Sequence, residues 1–170
     1  LAQTQMRRLQ PGLVDRGVSA NVTPGVFASL SGESSKRLDP NLVNKDGGAT
    51  GIAQWLGPRK KELGKFAESR GTHMFDGDTQ VDYVLHELDV GKHTAGSLES
   101  LRKAKTPEQA NNIWTRQFER PFLNDVSEKA RAAHVAQRGQ AIPHFSEVLK
   151  VDGKMPEGAA DWQNAVGGGK

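Results

Sequence analysis

The sequence predicts a mainly α-helical domain that carries one small β-ribbon. Val81, Val84, Leu85 and Leu88 recur at i, i+3, i+4 and i+7, the spacing of one helix face. Capping signals bracket most of the other apolar runs, Thr106-Pro107-Glu108-Gln109 being the clearest of them. The turn sequence Asp46-Gly47-Gly48 separates two short apolar stretches, Leu42-Val43 and Ala49 to Ala53, which suits a hairpin.

Taken in order, residues 3 to 16 place Met6, Leu9, Leu13 and Val14 at helical spacing, with Pro11 and Gly12 disturbing the middle; a short, irregular helix is expected. Gly17 is a plausible stop. A second helix follows with Pro24 in its first turn and Val22, Val26, Phe27 and Leu30 on one face, which points to the core. It should end near Ser35 to Leu38, because Pro40 disfavours helical geometry at Asp39. Helix signals return from Pro58 to Gly71, with Leu63, Phe66 and Ala67 as the apolar face. The stripe of residues 81 to 88 ends at Gly91, and Leu98, Leu101 and Ala104 suggest a short helix. The box at Thr106 opens another containing Ala110, Ile113, Trp114 and Phe118, which Pro121 ends. Asn124 is read as the cap of an Ala-rich helix to about Gln140, and Ile142, Phe145, Val148 and Leu149 make a last short one. Residues 1–150 thus form one domain, followed by a loosely held tail over 151–170 in which Trp162 is the only sizeable anchor.

Composition narrows the chemistry. At 170 residues the chain suits one core, and 35% hydrophobic with 25% charged residues is polar but sufficient to build it. A net charge of +3 draws the protein weakly towards anionic polymers. Nucleic acid is not implied, since the one basic cluster, Arg59-Lys60-Lys61, has no interleaved aromatic residues for base stacking. The absence of cysteine removes thiol nucleophiles, disulfides and Cys-based zinc sites. His73, His86, His93, His134 and His144 have no zinc-type spacing, so neither metal nor cofactor is expected. No apolar run approaches the ~18 residues of a membrane span. The first residue is Leu1 and the last four are Gly167-Gly168-Gly169-Lys170, which reads as a segment of a longer protein.

One acidic residue is unusually placed. Glu33 falls in the last turn of the second helix, where unpaired carbonyls and the negative end of the helix dipole disfavour a carboxylate and favour its protonated form. Either this is a solvated surface glutamate or it is a general acid. Asp46, 46 − 33 = 13 positions on, is a candidate second carboxylate across a cleft, though Asp before Gly also makes a turn unaided. Thr50 offers a hydroxyl that could hold a water, or is simply a β-branched ribbon residue. Trp55 is either core or a sugar-stacking wall, and Tyr83 either reaches the cleft or packs half-buried. Glu87 and Glu119 read as partners of Arg or Lys between helices.

Glu33-Ser34, Asp39-Pro40-Asn41 and Gly48-Ala49-Thr50-Gly51-Ile52-Ala53-Gln54-Trp55 together resemble the lysozyme superfamily. More narrowly they are similar to the phage tail lysozymes, relatives of goose-type lysozymes and soluble lytic transglycosylases. Tyr83-Val84-Leu85-His86-Glu87-Leu88, the Leu98 to Leu101 helix and Phe118-Glu119-Arg120-Pro121 extend the resemblance over roughly residues 5 to 140. It implies a bilobal lysozyme-like fold, with the ribbon beside the catalytic helix end, and cleavage of the β-1,4 bond between N-acetylmuramic acid and N-acetylglucosamine. It further implies attachment to a larger tail or virion protein and local wall degradation as the genome is delivered. Glu33 matches the catalytic glutamate; Ser34, Gln54, Trp55 and Tyr83 become substrate-binding candidates, Gln54 towards an N-acetyl group. Ser35 and Lys36-Arg37 depart from many relatives and bear on subsite preference. Three outcomes stay open: a hydrolase using Asp46 or Thr50, a lytic transglycosylase with Glu33 as sole acid and base, and a catalytically silent wall-binding module.

Overall fold

The computed structural model describes residues 2–34, 38–92, 94–119, 127–150, 154 and 155. Over these the protein is mainly helical: α1 Ala2–Asp15, α2 Thr23–Ser34, α3 Gly57–Ser69, α4 Gly77–Val90, α5 Ala95–Lys103, α6 Pro107–Ile113, α7 Glu128–Gly139 and α8 Ile142–Val148. Of the expected tail only Lys154 and Met155 are described, Met155 packing on the core; Trp162, Asn124 and Pro121 lie outside the described residues.

Helix α1 has the expected length but is more regular than its sequence suggests, running unbroken through Pro11. Burial of Met6, Leu9 and Leu13 outweighs the lost backbone bond, and Gly12 allows α1 to approach Leu85 of α4 closely. Exposed ion pairs flank this contact, Arg8 to Asp82 and Arg16 to Asp89, and each contributes little.

Helix α2 is the centre of the molecule. A 3-10 turn, Ala20–Val22, leads into it, and α6, α7 and α8 pack around it. The single apolar face expected from sequence is too narrow a description, because residues 22–31 are buried all round. Two of its buried hydroxyls bond locally, Thr23 to the Ala20 carbonyl and Ser31 to that of Ala28. At Gly25 the helix meets α6 so closely that a Cβ would overlap the Pro107 carbonyl. Gly25→Ala should therefore destabilise by about 1–3 kcal/mol, since backbone cannot yield as a side-chain tip does. Gly64→Ala in α3, where a Cβ meets nothing within 4 Å, should stabilise by about 0.5–1 kcal/mol. Paired urea titrations of the two variants read both signs.

Asp76 caps α4, accepting from the Thr79 amide at 2.8 Å and its hydroxyl at 2.7 Å. These bonds hold its carboxyl below the usual 3.8, as the Arg16 guanidinium does for Asp89. Both folded values are depressed, so the stability they contribute is complete above the ordinary value and is lost as pH falls through the folded ones. Urea titrations at pH 5 and pH 3 should show a smaller acid-induced loss in a variant carrying both Asp76→Asn and Asp89→Asn than in the native protein.

Two later helices depart from expectation. Thr106 caps α6 by accepting from the Gln109 amide at 3.1 Å, while Gln109 Oε1 takes the Lys105 amide at 2.6 Å. The helix does not continue regularly to Phe118; Trp114–Glu119 is a π-helical turn, the extra residue burying both Trp114 and Phe118. Helix α7 starts at Glu128 with Ser127 as its cap, accepting from the Ala130 amide.

Candidate functional site

Helix α2 leaves the core at its last turn. Everything through Ser31 is buried, Gly32 is exposed, and the backbone of Glu33 and Ser34 completes the helix; the side chains of these two lie outside the described residues. Glu33 thus stands where a buried helix end meets solvent, a place of unpaired carbonyls.

The predicted ribbon takes the form of two successive tight turns joined by isolated antiparallel bridges, Val43 with Thr50 and Thr50 with Trp55. Asn44 and Ala49 close the first turn, the Asn44 amide reaching the Ala49 carbonyl at 2.8 Å. Asp46 lies exposed at its tip, its amide held by Asn44 Oδ1 at 2.9 Å. Thr50 is fully buried, and its hydroxyl donates to the Gly48 carbonyl at 2.9 Å. Gln54 is half-buried with φ +49°, and its Nε2 donates to the Gly51 carbonyl at 2.9 Å. A non-glycine residue in that region is strained, and the bridge pairing on either side holds it there.

Two polar side chains of α4 bind this loop to the core. Gln80, fully buried, accepts the Ile52 amide at 3.0 Å and donates at 2.8 Å to the carbonyls of Pro40 and Met74. It lies so close to Gly51, φ +78°, that any side chain there would meet its amide. Two turns on, Glu87 accepts Trp55 Nε1 at 2.9 Å and both Arg59 Nε and Nη2 at 2.8 Å. Of the two places open to Trp55 it takes the core, with no exposed surface. Tyr83 packs between Trp55 and Phe66 at ring distances of 5.6 and 5.2 Å. Burial and then the Glu87 carboxylate push its phenol well above the usual range, so it stays protonated. It borders a hollow of about 600 Å³ that also includes Arg59, Phe66 and His86.

Polar links continue from Arg59 to the catalytic-candidate helix. Arg59 Nη1 donates to the Phe118 carbonyl at 3.3 Å. The next residue, Glu119, accepts the Ser29 hydroxyl at 2.9 Å, and Ser29 also pairs with Thr115 at 2.7 Å. Ser29 precedes Glu33 by four residues, one helical turn on the same face. Glu87 is therefore an interhelix partner of an arginine as expected, and Glu119 accepts a hydroxyl of α2.

A second cavity, about 880 Å³, opens beside that helix end between α2, α7 and α8, lined by Ser31, Gly32, His134, Arg138 and His144 among others. Arg138 lies across Gly32, where a Cβ would overlap its guanidinium, and its Nε donates to His134 Nε2 at 3.2 Å. This cation brings a field opposite in sign to that of the helix dipole to the residue next to Glu33. Among the described residues no group of three or more His, Asp or Glu side chains gathers as metal ligands would, and no helix is long and apolar enough to cross a membrane.

The candidates accordingly divide. The Glu33 backbone stands beside the cavity of α2, α7 and α8, while Tyr83 borders the other hollow and Trp55 and Thr50 are interior. Gln80 and Arg138 are additions that sequence reasoning did not single out. For Gln80 a signal existed, since residues 80, 84 and 87 share a helix face and a polar residue at either end of a buried stripe needs partners. Arg138 gave none, because its contact with Gly32 joins residues 106 positions apart, 138 − 32 = 106.

A family model described as phage tail lysozyme matches residues 5–141. No curated protein and no solved structure matches the chain.

Proposed function

Because the chain belongs to the phage tail lysozyme family, which carries a peptidoglycan-lytic, lysozyme-like function, we propose that it is a virion-associated muramidase with Glu33 as general acid. In this reading it cleaves the β-1,4 bond between N-acetylmuramic acid and N-acetylglucosamine, as part of a larger tail or virion protein that opens the wall locally during genome delivery. The observation that carries it is the family match across the whole arrangement around Glu33: the buried α2, the exposed end at Gly32, and the double turn pinned to α4.

The chemistry needs a proton on the leaving oxygen and a route for the oxocarbenium-like centre that forms. Glu33 supplies the proton as the C1–O4 bond breaks, and its carboxylate then serves as base. In the hydrolytic route water attacks C1 and Asp46, exposed at its turn tip, orients it. Gln54, half-buried at the second turn, supports substrate contact through the part of its amide not given to Gly51.

A second reading has its own support. Thr50 is interior and has given its proton to Gly48, which leaves it poorly suited to hold a water for attack. Glu33 then acts alone: the C6 hydroxyl of muramic acid attacks C1, the carboxylate takes the hydroxyl proton, and a 1,6-anhydro product forms. Mass spectrometry of digested glycan separates the two, since reducing and anhydro ends differ by one water. Reducing ends are expected for the hydrolase; anhydro ends alone would overturn it in favour of the transglycosylase.

A further inference from the structure

The amide of Gln80 joins three separate stretches of chain. Its Oε1 accepts the Ile52 amide at 3.0 Å, and its Nε2 donates at 2.8 Å to the carbonyls of both Pro40 and Met74. Both N–H groups are thus in use, and a flipped amide would set donor against donor at Ile52 and oxygen against oxygen at the two carbonyls. With no exposed surface, the side chain has no water to replace a lost partner, so its three partners are held in one relative position. Two of them flank the proposed site. Ile52 lies in the second tight turn, between Gly51 at φ +78° and Gln54 at φ +49°. Pro40 follows the buried Leu38, at φ +48°, and only residues 35–37 separate Leu38 from the end of α2. That connection spans at most about 14 Å. Gln80 therefore ties the chain leaving the Glu33 helix end to the turn that carries Gln54.

We propose that Gln80 is a positioning residue for glycan cleavage, setting the separation between the Glu33 helix end and the Gln54 turn; the proposal rests on the muramidase reading of Glu33. Being interior, Gln80 touches no substrate and acts through the backbone of Ile52 and Pro40. A strand held by the turn must bring its glycosidic oxygen within hydrogen-bond reach of the general acid. A misplacement of about 1 Å costs on the order of 10²-fold in rate. Left-handed backbone at Leu38 and Gln54 persists only under restraint from its surroundings, and the Gln80 amide bonds within two residues of each. Gly51 serves the same contact from the other side, since a Cβ there would overlap this amide. Without Gln80, Gln54 keeps its own bond to the Gly51 carbonyl, so substrate contact at the turn outlasts its alignment with Glu33. The loss falls on kcat more than on KM.

Two measurements test it. Gln80→Met keeps the length of the side chain and lacks all three bonds. Its kinetics on peptidoglycan strands are taken well below the melt, beside Leu101→Ala, which destabilises through a buried residue of α5 and leaves the Gln80 bonds in place. In Gln80→Met kcat should fall on the order of 10²-fold with KM within about threefold, while Leu101→Ala keeps the native kcat. Gly51→Ala, which crowds the same amide from the turn side, gives a second reading and should lower kcat in the same sense. Amide hydrogen exchange then reads the restraint itself. Ile52 should exchange about tenfold faster or more in Gln80→Met, relative to Val84 in the same helix as Gln80. Native kcat in Gln80→Met and Gly51→Ala, or an equal loss in Leu101→Ala, would overturn the positioning role. A native protein that cleaves no strand overturns the muramidase reading and this role with it, and exchange at Ile52 separates that result from a failure of Gln80 to hold the turn.

Discussion

Glu33→Gln is expected to reduce lysis of permeabilised cells by roughly 10²–10⁴-fold, the usual contribution of a positioned general acid. The amide keeps the size of the side chain but carries no transferable proton, so both the protonation of the leaving oxygen and the later base step are lost. Because glutamine also matches glutamate in shape, the melting temperature should scarcely move. Turbidity assays with both proteins at matched concentration, alongside thermal melts, give the result. Equal clearing by native protein and variant would remove Glu33 from catalysis. No clearing by either would leave the silent wall-binding module as the reading of the chain.

Glu87→Ala should have the largest effect on stability, about 3 kcal/mol. The carboxylate accepts three bonds, two from Arg59 and one from the Trp55 indole, and the side chain of Glu87 is only 6% exposed. Its removal leaves a cation and a buried N–H without their acceptor, the condition that makes breaking a buried pair cost about 3–5 kcal/mol. Arg59 retains 31% exposure and can turn partly to water, which places the estimate at the lower end. For a domain of this size the melting temperature should fall by roughly 10 °C. Glu87→Gln keeps one acceptor oxygen and should lose less. Because Glu87 anchors Trp55 and so the end of the double turn, activity measured well below the melt should also drop. A full stability loss with unchanged activity would show that the turn keeps its place without this anchor.

Much of the architecture was legible because it is local. The stripe at residues 81 to 88, the box at Thr106 and the turn at Asp46-Gly47-Gly48 each depend on neighbours within a turn or two, and each forms where its residues say. The departures come from burial. Pro11 breaks helices in isolation, yet α1 persists because its apolar side chains pack on α4. Ser127 caps α7, since several residues near a helix start can cap and its hydroxyl accepts the Ala130 amide. Trp55 and Thr50 were equally good as cleft or core residues by type; only the depth of the loop against α4 separates those roles.

The sequence alone determined the family, the helical class and the placement of Glu33 at the end of a helix, because periodicity, caps and a Gly-rich turn are written in short stretches of chain. Tertiary structure decided what surrounds that helix end. Gln80 and Glu87 draw the double turn inward from two turns of one buried helix, and Arg138 arrives at Gly32 from 106 positions away, 138 − 32 = 106. The helix dipole at Glu33 follows from local order; the opposing cation beside it depends on how α7 packs against α2, a contact that no local pattern encodes.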